Sequence, residues 1–193
     1  MNLDFLVVSL YSYILGSIPF GLLITKYFLN KDVRNIGSGN IGATNVLRTG
    51  KKNLAFLTLI LDVLKGYLSV FITFKFFNEF IYLASLICLL GHIFPIWLKF
   101  KGGKGVATYL GIILGLSINL FIVFGLTWLL LLFIFRYSSL SSIFASIIVF
   151  FYSLIFNNFN LNIYLFIVVI IMIFAHKENI IRLKNKTENK IKF

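Results

Sequence analysis

The sequence predicts an all-α membrane protein with seven transmembrane helices, its N-terminus outside and its C-terminus cytoplasmic. Three observations predict this. Hydrophobic residues make up 60% of the 193 residues and charged residues only 12%, whereas a soluble domain is nearer half apolar and a quarter charged. Several apolar stretches approach or exceed the length that crosses a bilayer. The 18 Lys and Arg, all but Lys75, fall in segments that a single topology puts on one side, as expected for a cytoplasmic face.

Apolar runs and polar punctuation set the elements. The first run, 3–25, contains Gly16, Ser17, Pro19 and Gly21, so it is expected to be kinked or broken. A polar segment follows at 26–53. Runs two and three, 54–74 and 80–98, are joined by the short turn KFFNEF. A glycine/lysine loop occupies 99–105. The run 106–135 comes next, then the polar patch RYSSLSS at 136–142. Two further runs, 143–157 and 161–175, are separated by NNFNLN, and a basic tail begins at His176.

The run 106–135 is long for one span and short for two, and charge decides it. The loop 99–105 carries Lys99, Lys101 and Lys104; the tail carries Lys177, Arg182, Lys184, Lys186, Lys190 and Lys192. If both face the cytoplasm, an even number of crossings separates them. Two come from 143–157 and 161–175, so 106–135 supplies two more, turning near Ser117–Asn119. The expected organisation is one membrane domain over 1–193. The start, MNLDFLVVSL, has no basic region ahead of its apolar run and reads as a retained span.

Composition also excludes classes. A net charge of +12 in a soluble protein suggests nucleic acid; in a membrane chain it reads as orientation, and no nucleic-acid partner is expected. The single cysteine, Cys88, allows no disulfide framework. No Cys/His/Asp/Glu cluster has transition-metal spacing, so neither metal nor cofactor is expected. No HEXXH or GXSXG occurs. Trp97 stands five residues after His92 and Ile181 five after His176. Neither makes the His-four-spacers-Asp pair of soluble glycerolipid acyltransferases, so acyl transfer here would need an activated donor.

Orientation alone explains a charge excess but not the ordered Gly, Asn, Ser and His on the same face. Three clusters carry them. NIGSGNIGATNVLRTG, from Asn35 to Gly50, offers close backbone approach at its glycines and neutral donors at Ser38, Asn40, Thr44 and Asn45. Arg48 can pair with phosphate bidentately. The pattern is neither a Walker loop nor a dinucleotide fingerprint, and taken alone it could be a polar connector. GHIFPIWLKFKGGKGVAT, from Gly91 to Thr108, brackets Lys104 with Gly102, Gly103 and Gly105 at the start of a helix. Helix-start amides and a lysine suit an anion, although a basic interfacial anchor is the bland alternative. HKENIIRL, from His176 to Leu183, puts His176 and Asn179 on one helical face. Here His176 can be a base, a phosphate donor or a structural residue. Asp62 and Lys65 lie within span two at contact spacing, and can be a structural pair or a functional one. Arg136, Ser139 and Ser142 stand at an inner span end. An anion transporter is the main rival to an enzyme, but the outer face is nearly devoid of candidate residues.

The three clusters, in this order and topology, resemble the bacterial acyl-phosphate:glycerol-3-phosphate acyltransferase family. The resemblance runs through Ser38, Gly39, Asn40, Gly42, Ala43, Thr44, Asn45 and Arg48, then GHxFPxxxxFKGGKGVAT, then His176, Asn179, Ile180, Arg182 and Leu183. GSIPFG, LDVLKG and RYSSLSS look like family features too. One departure is Lys186-Thr187-Glu188, where the family usually has glycine at the first position; it puts the tail conformation in question. The resemblance implies transfer of an acyl group from acyl phosphate to the 1-hydroxyl of glycerol 3-phosphate, giving lysophosphatidic acid and phosphate in the first acylation of phospholipid synthesis. It implies a bacterial cytoplasmic (inner) membrane protein with its active site facing the cytoplasm. Expected partners are the two substrates, membrane lipid and the enzyme that makes acyl phosphate. Expected catalytic residues are Ser38, Arg48, Lys104, His176 and Asn179; expected substrate-binding residues are Asn40, Thr44, Asn45, Gly102, Gly103, Gly105 and Ser142.

Overall fold

A computed structural model describes residues 3–156 and 158–191. Asn157, which ends one expected span, and the tail's Lys192 lie outside the described residues. Among those described, regular structure is entirely helical. That is what an apolar chain must do: without water, backbone N–H and C=O groups have to pair within their own segment.

Helix α1 (Leu3–Ser17) and helix α2 (Phe20–Leu29) form one interrupted apolar segment. The break falls at Ile18-Pro19, as the sequence predicts. A short α3 (Ala43–Leu47) lies within the polar segment, and α4 (Lys52–Phe76) follows. Helix α5 (Ile81–Ile93) leads through a single turn at Ile96–Leu98 to the glycine loop and α6 (Val106–Leu116). Beyond Ser117 come α7 (Ile118–Phe135), α8 (Ser138–Ser153), α9 (Phe159–Ala175) and α10 (Lys177–Lys184), the last bent by 60° from α9.

Two expectations need correction. The run 106–135 does turn at Ser117, but unevenly. Helix α6 has 11 residues, so it is only about 16 Å long, roughly half the hydrocarbon thickness. Five helical segments are long and apolar enough to cross a membrane, or six if the bent α9–α10 pair counts as one. Second, most of the polar patch RYSSLSS lies inside the helix expected to begin at 143, because α8 starts at Ser138. The serines are tolerated because they donate back into the helix: Ser141 to the Tyr137 carbonyl and Ser142 to that of Ser138, at 3.0 and 2.8 Å.

The chain divides into two compact units, Met1–Gly115 and Leu116–Phe193. In the first, glycines let helices touch. A side chain at Gly16 would strike the Cys88 carbonyl of α5, and one at Gly111 would strike that of Val63 in α4. Hydroxyls are buried along these contacts, at Ser12, Thr58, Ser69, Thr73 and Ser85. In the second unit, α7 exposes Leu126, Leu130 and Phe133. Small polar residues inside and large apolar residues outside is the packing of helices that face lipid.

Candidate active site

The first cluster is organised by one side chain. Asn45, 2% exposed, points into its own loop. Its Nδ2 lies 2.9, 2.9 and 2.7 Å from the carbonyl oxygens of Val33, Ile36 and Asn40. Its Oδ1 accepts from the Ser38 amide at 3.0 Å, the Ser38 hydroxyl at 3.3 Å and Nη1 of Arg48 at 3.3 Å. Asn45 is thus engaged by the loop on both its polar atoms, and its expected place among the binding residues becomes a holding one. The loop sits on a small core of Leu22, Val33, Ile41, Val46 and Ala55, with Leu54 and Leu98 packed against it. Leu98 comes from the second cluster, so this core joins the two.

Arg48 and Ser38 share Asn45 Oδ1, and Arg48 lies over Gly37. With φ +55, Gly37 is in the left-handed region, and a Cβ there would meet Cδ of Arg48 at 2.6 Å. Glycine therefore supplies both the turn and the seat for the arginine. Among the described residues no carboxylate stands within ion-pair range of Arg48; its partner is the neutral Asn45 amide. Its neighbour Arg34 is different, because Asp32 takes it at 2.6 Å. Hydrogen bonds from Arg34 hold the half-buried Asp32 carboxyl down to about 2. One arginine of this loop is neutralised by a carboxylate and the other keeps its charge available for an anion. Asn40 accepts from the Gly42 amide at 3.3 Å, and Thr44 is half-buried on α3.

The second cluster folds back on the end of α5. The Gly102 amide donates to the Ile93 carbonyl and the Gly103 amide to that of His92, both at 3.0 Å. Gly103 and Gly105 are buried, while Gly102 and Lys104 are half-buried. Gly105 has φ +79, which turns the chain into α6. Lys104 thus stands two residues before a helix start, where the dipole favours an anion.

The third cluster lies in the second unit. His176, 2% exposed, caps the bend between α9 and α10. Its Nδ1 is 2.8 Å from the Met172 carbonyl. A carbonyl can only accept, so Nδ1 carries a proton. Asn179, 4% exposed, donates Nδ2 to Glu188 at 2.6 Å, while its Oδ1 is buried without a hydrogen-bond partner. Glu188 also accepts from Ser139 at 2.9 Å and Arg182 at 2.7 Å. Burial pushes the Glu188 carboxyl up, but these three donors outweigh it and hold it below the ordinary glutamate range. Residues 185–191 therefore fold back on the unit, and the Ile191 amide reaches the Arg136 carbonyl at 2.8 Å. Ser142 is 1% exposed, and its hydroxyl bonds to the Ser138 carbonyl and accepts from Trp128 Nε1 at 3.0 Å.

Lys186 answers the question raised by its sequence. It sits at φ 58, just past the end of α10. The amides of Lys186 and Thr187 donate to the carbonyls of Leu183 and Arg182 at 3.1 and 2.8 Å, the reversed turn that usually takes glycine. The tail keeps this turn although lysine occupies it.

Comparison with known proteins finds relatives along nearly the whole chain. The family profile described as glycerol-3-phosphate acyltransferase matches residues 6–186. A glycerol-3-phosphate acyltransferase of Pelagibacter ubique is 52% identical over 98% of this chain and 99% of its own length. One from Mesorhizobium japonicum is 50% identical over 99% and 98%. Among solved structures, the crystal structure of PlsY (YgiH), an integral membrane glycerol 3-phosphate acyltransferase, in its glycerol 3-phosphate form superposes with a TM-score of 0.93 at 37% identity, covering 98% of this chain and 96% of that one. Its lysophosphatidic acid form gives 0.90 at 36%, with the same coverage.

Proposed function

This chain belongs to the glycerol-3-phosphate acyltransferase family of integral membrane enzymes, and from that premise we propose that it uses acyl phosphate as donor and acylates the 1-hydroxyl of glycerol 3-phosphate. The observation that carries this reading is Arg48: a guanidinium with no carboxylate in ion-pair range among the described residues, lying over Gly37 and sharing Asn45 Oδ1 with the Ser38 hydroxyl. Such a pair suits a phosphate. Lys104 and its glycine loop supply a second cationic site, and both substrates of the reaction carry phosphate.

In this reading the glycerol hydroxyl oxygen attacks the acyl carbonyl carbon. An ester C–O bond forms, the acyl–phosphate C–O bond breaks, and the hydroxyl proton ends on the released phosphate. The reaction balances without a co-reactant. Phosphate is already a good leaving group, so catalysis rests on positioning and charge stabilisation. Ser38, Arg48 and Asn40 orient one phosphate, with Thr44 beside them. Lys104, with Gly102, Gly103 and Gly105, holds the other. From the second unit we assign His176 and Asn179 to the glycerol phosphate, the buried Asn179 oxygen being a polar atom without a hydrogen-bond partner there. Asn45 and Ser142 act one step back, holding the loop and α8.

The membrane setting completes the proposal. We place one domain of seven crossings in a bacterial inner membrane, N-terminus outside, with the three clusters facing the cytoplasm and the acyl-phosphate-producing enzyme. The confinement of Lys and Arg to inner segments supports it; the shortness of α6 is the feature it must accommodate. The test is direct. Detergent-purified protein given acyl phosphate and glycerol 3-phosphate should release phosphate and lysophosphatidic acid in equal amounts. Arg48→Ala and Lys104→Ala should each abolish release while remaining folded. Wild-type turnover in either variant sinks the two-phosphate reading.

A further inference from the structure

A buried polar cluster in the first unit takes no part in the chemistry above. Asp62 and Lys65 on α4 have side chains 2% exposed each, with Nζ 2.8 Å from Oδ1. Lys65 also donates to the Ile18 carbonyl at 2.7 Å and lies 5.6 Å from the centre of the Phe20 ring. It thus meets the backbone opened by the break between α1 and α2, where the last carbonyls of a helix lack partners. On its other side, Asp62 Oδ1 stands 3.7 Å from Nδ1 of His92, within electrostatic reach but too long for a direct hydrogen bond. His92 touches the glycine loop twice. Its carbonyl accepts from the Gly103 amide at 3.0 Å, and its ring packs so closely on Gly103 that any side chain there would strike Nε2.

A buried ion pair is weak evidence of stability, because removing two charges from water costs about as much as their attraction returns. An apolar pair would pack α4 at least as well. What the charged version adds is direction: a continuous set of contacts from the Ile18 carbonyl through Lys65, Asp62 and His92 to Gly103. The residue after Gly103 is Lys104.

We propose that Asp62, Lys65 and His92 are positioning residues: a buried polar strut that fixes the glycine loop against the break in the first span and so sets where Lys104 stands. The functional half of this rests on the reading of Lys104 as a phosphate site; the mechanical half does not. In the strut, Asp62 orients the His92 ring, the ring seats Gly103, and Lys65 neutralises Asp62 while anchoring the assembly to the Ile18 carbonyl.

The test uses the full chain in detergent and reads amide hydrogen exchange over 102–105 alongside kcat and KM for both substrates. Asp62→Asn, which keeps the volume, and His92→Ala should speed exchange at Gly102 and Gly103 by about tenfold or more, the signature of a loosened local structure. Each should raise KM for one phosphate substrate about tenfold with a smaller change in kcat. His92→Gln should recover part of both. A purely structural role would lower the melting temperature without that split. Gly103→Ala should cost much more in wild type than in His92→Ala, where the ring it strikes is gone; additive effects overturn the ring contact. Wild-type exchange and KM in folded Asp62→Asn and His92→Ala overturn the strut, and leave the phosphate reading standing if Lys104→Ala is inactive. Faster exchange together with an active Lys104→Ala confirms the mechanical half and removes the functional one.

Discussion

Asn45→Asp is a near-isosteric change with two separable consequences. On one side of the residue, Nδ2 serves three carbonyl oxygens at 2.7–2.9 Å. An amide nitrogen has two hydrogens, so two full bonds are at stake. Aspartate puts an oxygen there, facing three others. A lost bond costs about 1 kcal/mol, and a buried acceptor left stranded costs roughly 1–3 kcal/mol. Two stranded acceptors sum to about 2–6 kcal/mol, a large share of a stability of order 5–15 kcal/mol. On the other side, an oxygen still faces Ser38 and Arg48, now carrying negative charge. It should draw in the Arg48 guanidinium and cancel the charge meant for substrate. The assay is a thermal melt in mild detergent with KM determined on the surviving folded fraction. The melting temperature should fall by about 4 °C or more, and KM for one phosphate substrate should rise about tenfold or more. A variant melting within about 2 °C of wild type, with unchanged KM, would refute both the hub and the charge argument.

Two further outcomes concern the tail. The folded-state pKa of Glu188 is depressed, so its contribution to stability is present above the unfolded value of about 4.3 and is lost as pH falls through the folded one. Glu188→Gln should lower stability at neutral pH and flatten the melting temperature measured from pH 6 down to pH 3; an unchanged slope would show that the clamp does not carry it. Lys186→Gly should raise the melting temperature. A non-glycine residue in the left-handed region costs about 1–2 kcal/mol, and the greater freedom of glycine in the unfolded chain returns only about half of that; a drop in melting temperature would contradict the strain at φ 58.

Much of the fold is legible in the sequence because the bilayer simplifies the problem. Apolar runs must be helical, and Pro19 and Ser117 interrupt them where the structure does. What escapes is what depends on tertiary partners. Serine is helix-neutral in solution, so Ser138–Ser142 reads as a polar patch ahead of the helix until back-donation to carbonyls is seen. The length of α6 is hidden because its residues 106–116 and those of α7 are equally apolar. In the candidate site, the motif positions of Ser38 and Arg48 are visible, but not which donors face outward. Nothing in GATNVLR distinguishes Asn45, which turns inward, from Asn40. Glu188 acquires its importance from Ser139, 49 residues away, and no local pattern reports such a pairing. The Asp32–Arg34 pair was within reach, since a carboxylate two residues from an arginine is a local signal.

The fold-back of 185–191 sets an order in biosynthesis. Ser139 and the Arg136 carbonyl reach the translocon well before their partners exist. At about 5–20 residues per second of synthesis, the 49 residues between Ser139 and Glu188 take roughly 2–10 s. In that interval α8 is completed and α9 and α10 are made, while the polar end of α8 has nothing to close on. The contacts of Ser139 and Asn179 close only once Glu188 is made, and that of the Arg136 carbonyl only with Ile191. A nascent chain stalled short of that point would be inserted yet inactive, with an unlatched polar end facing the proteases that survey unfinished membrane proteins.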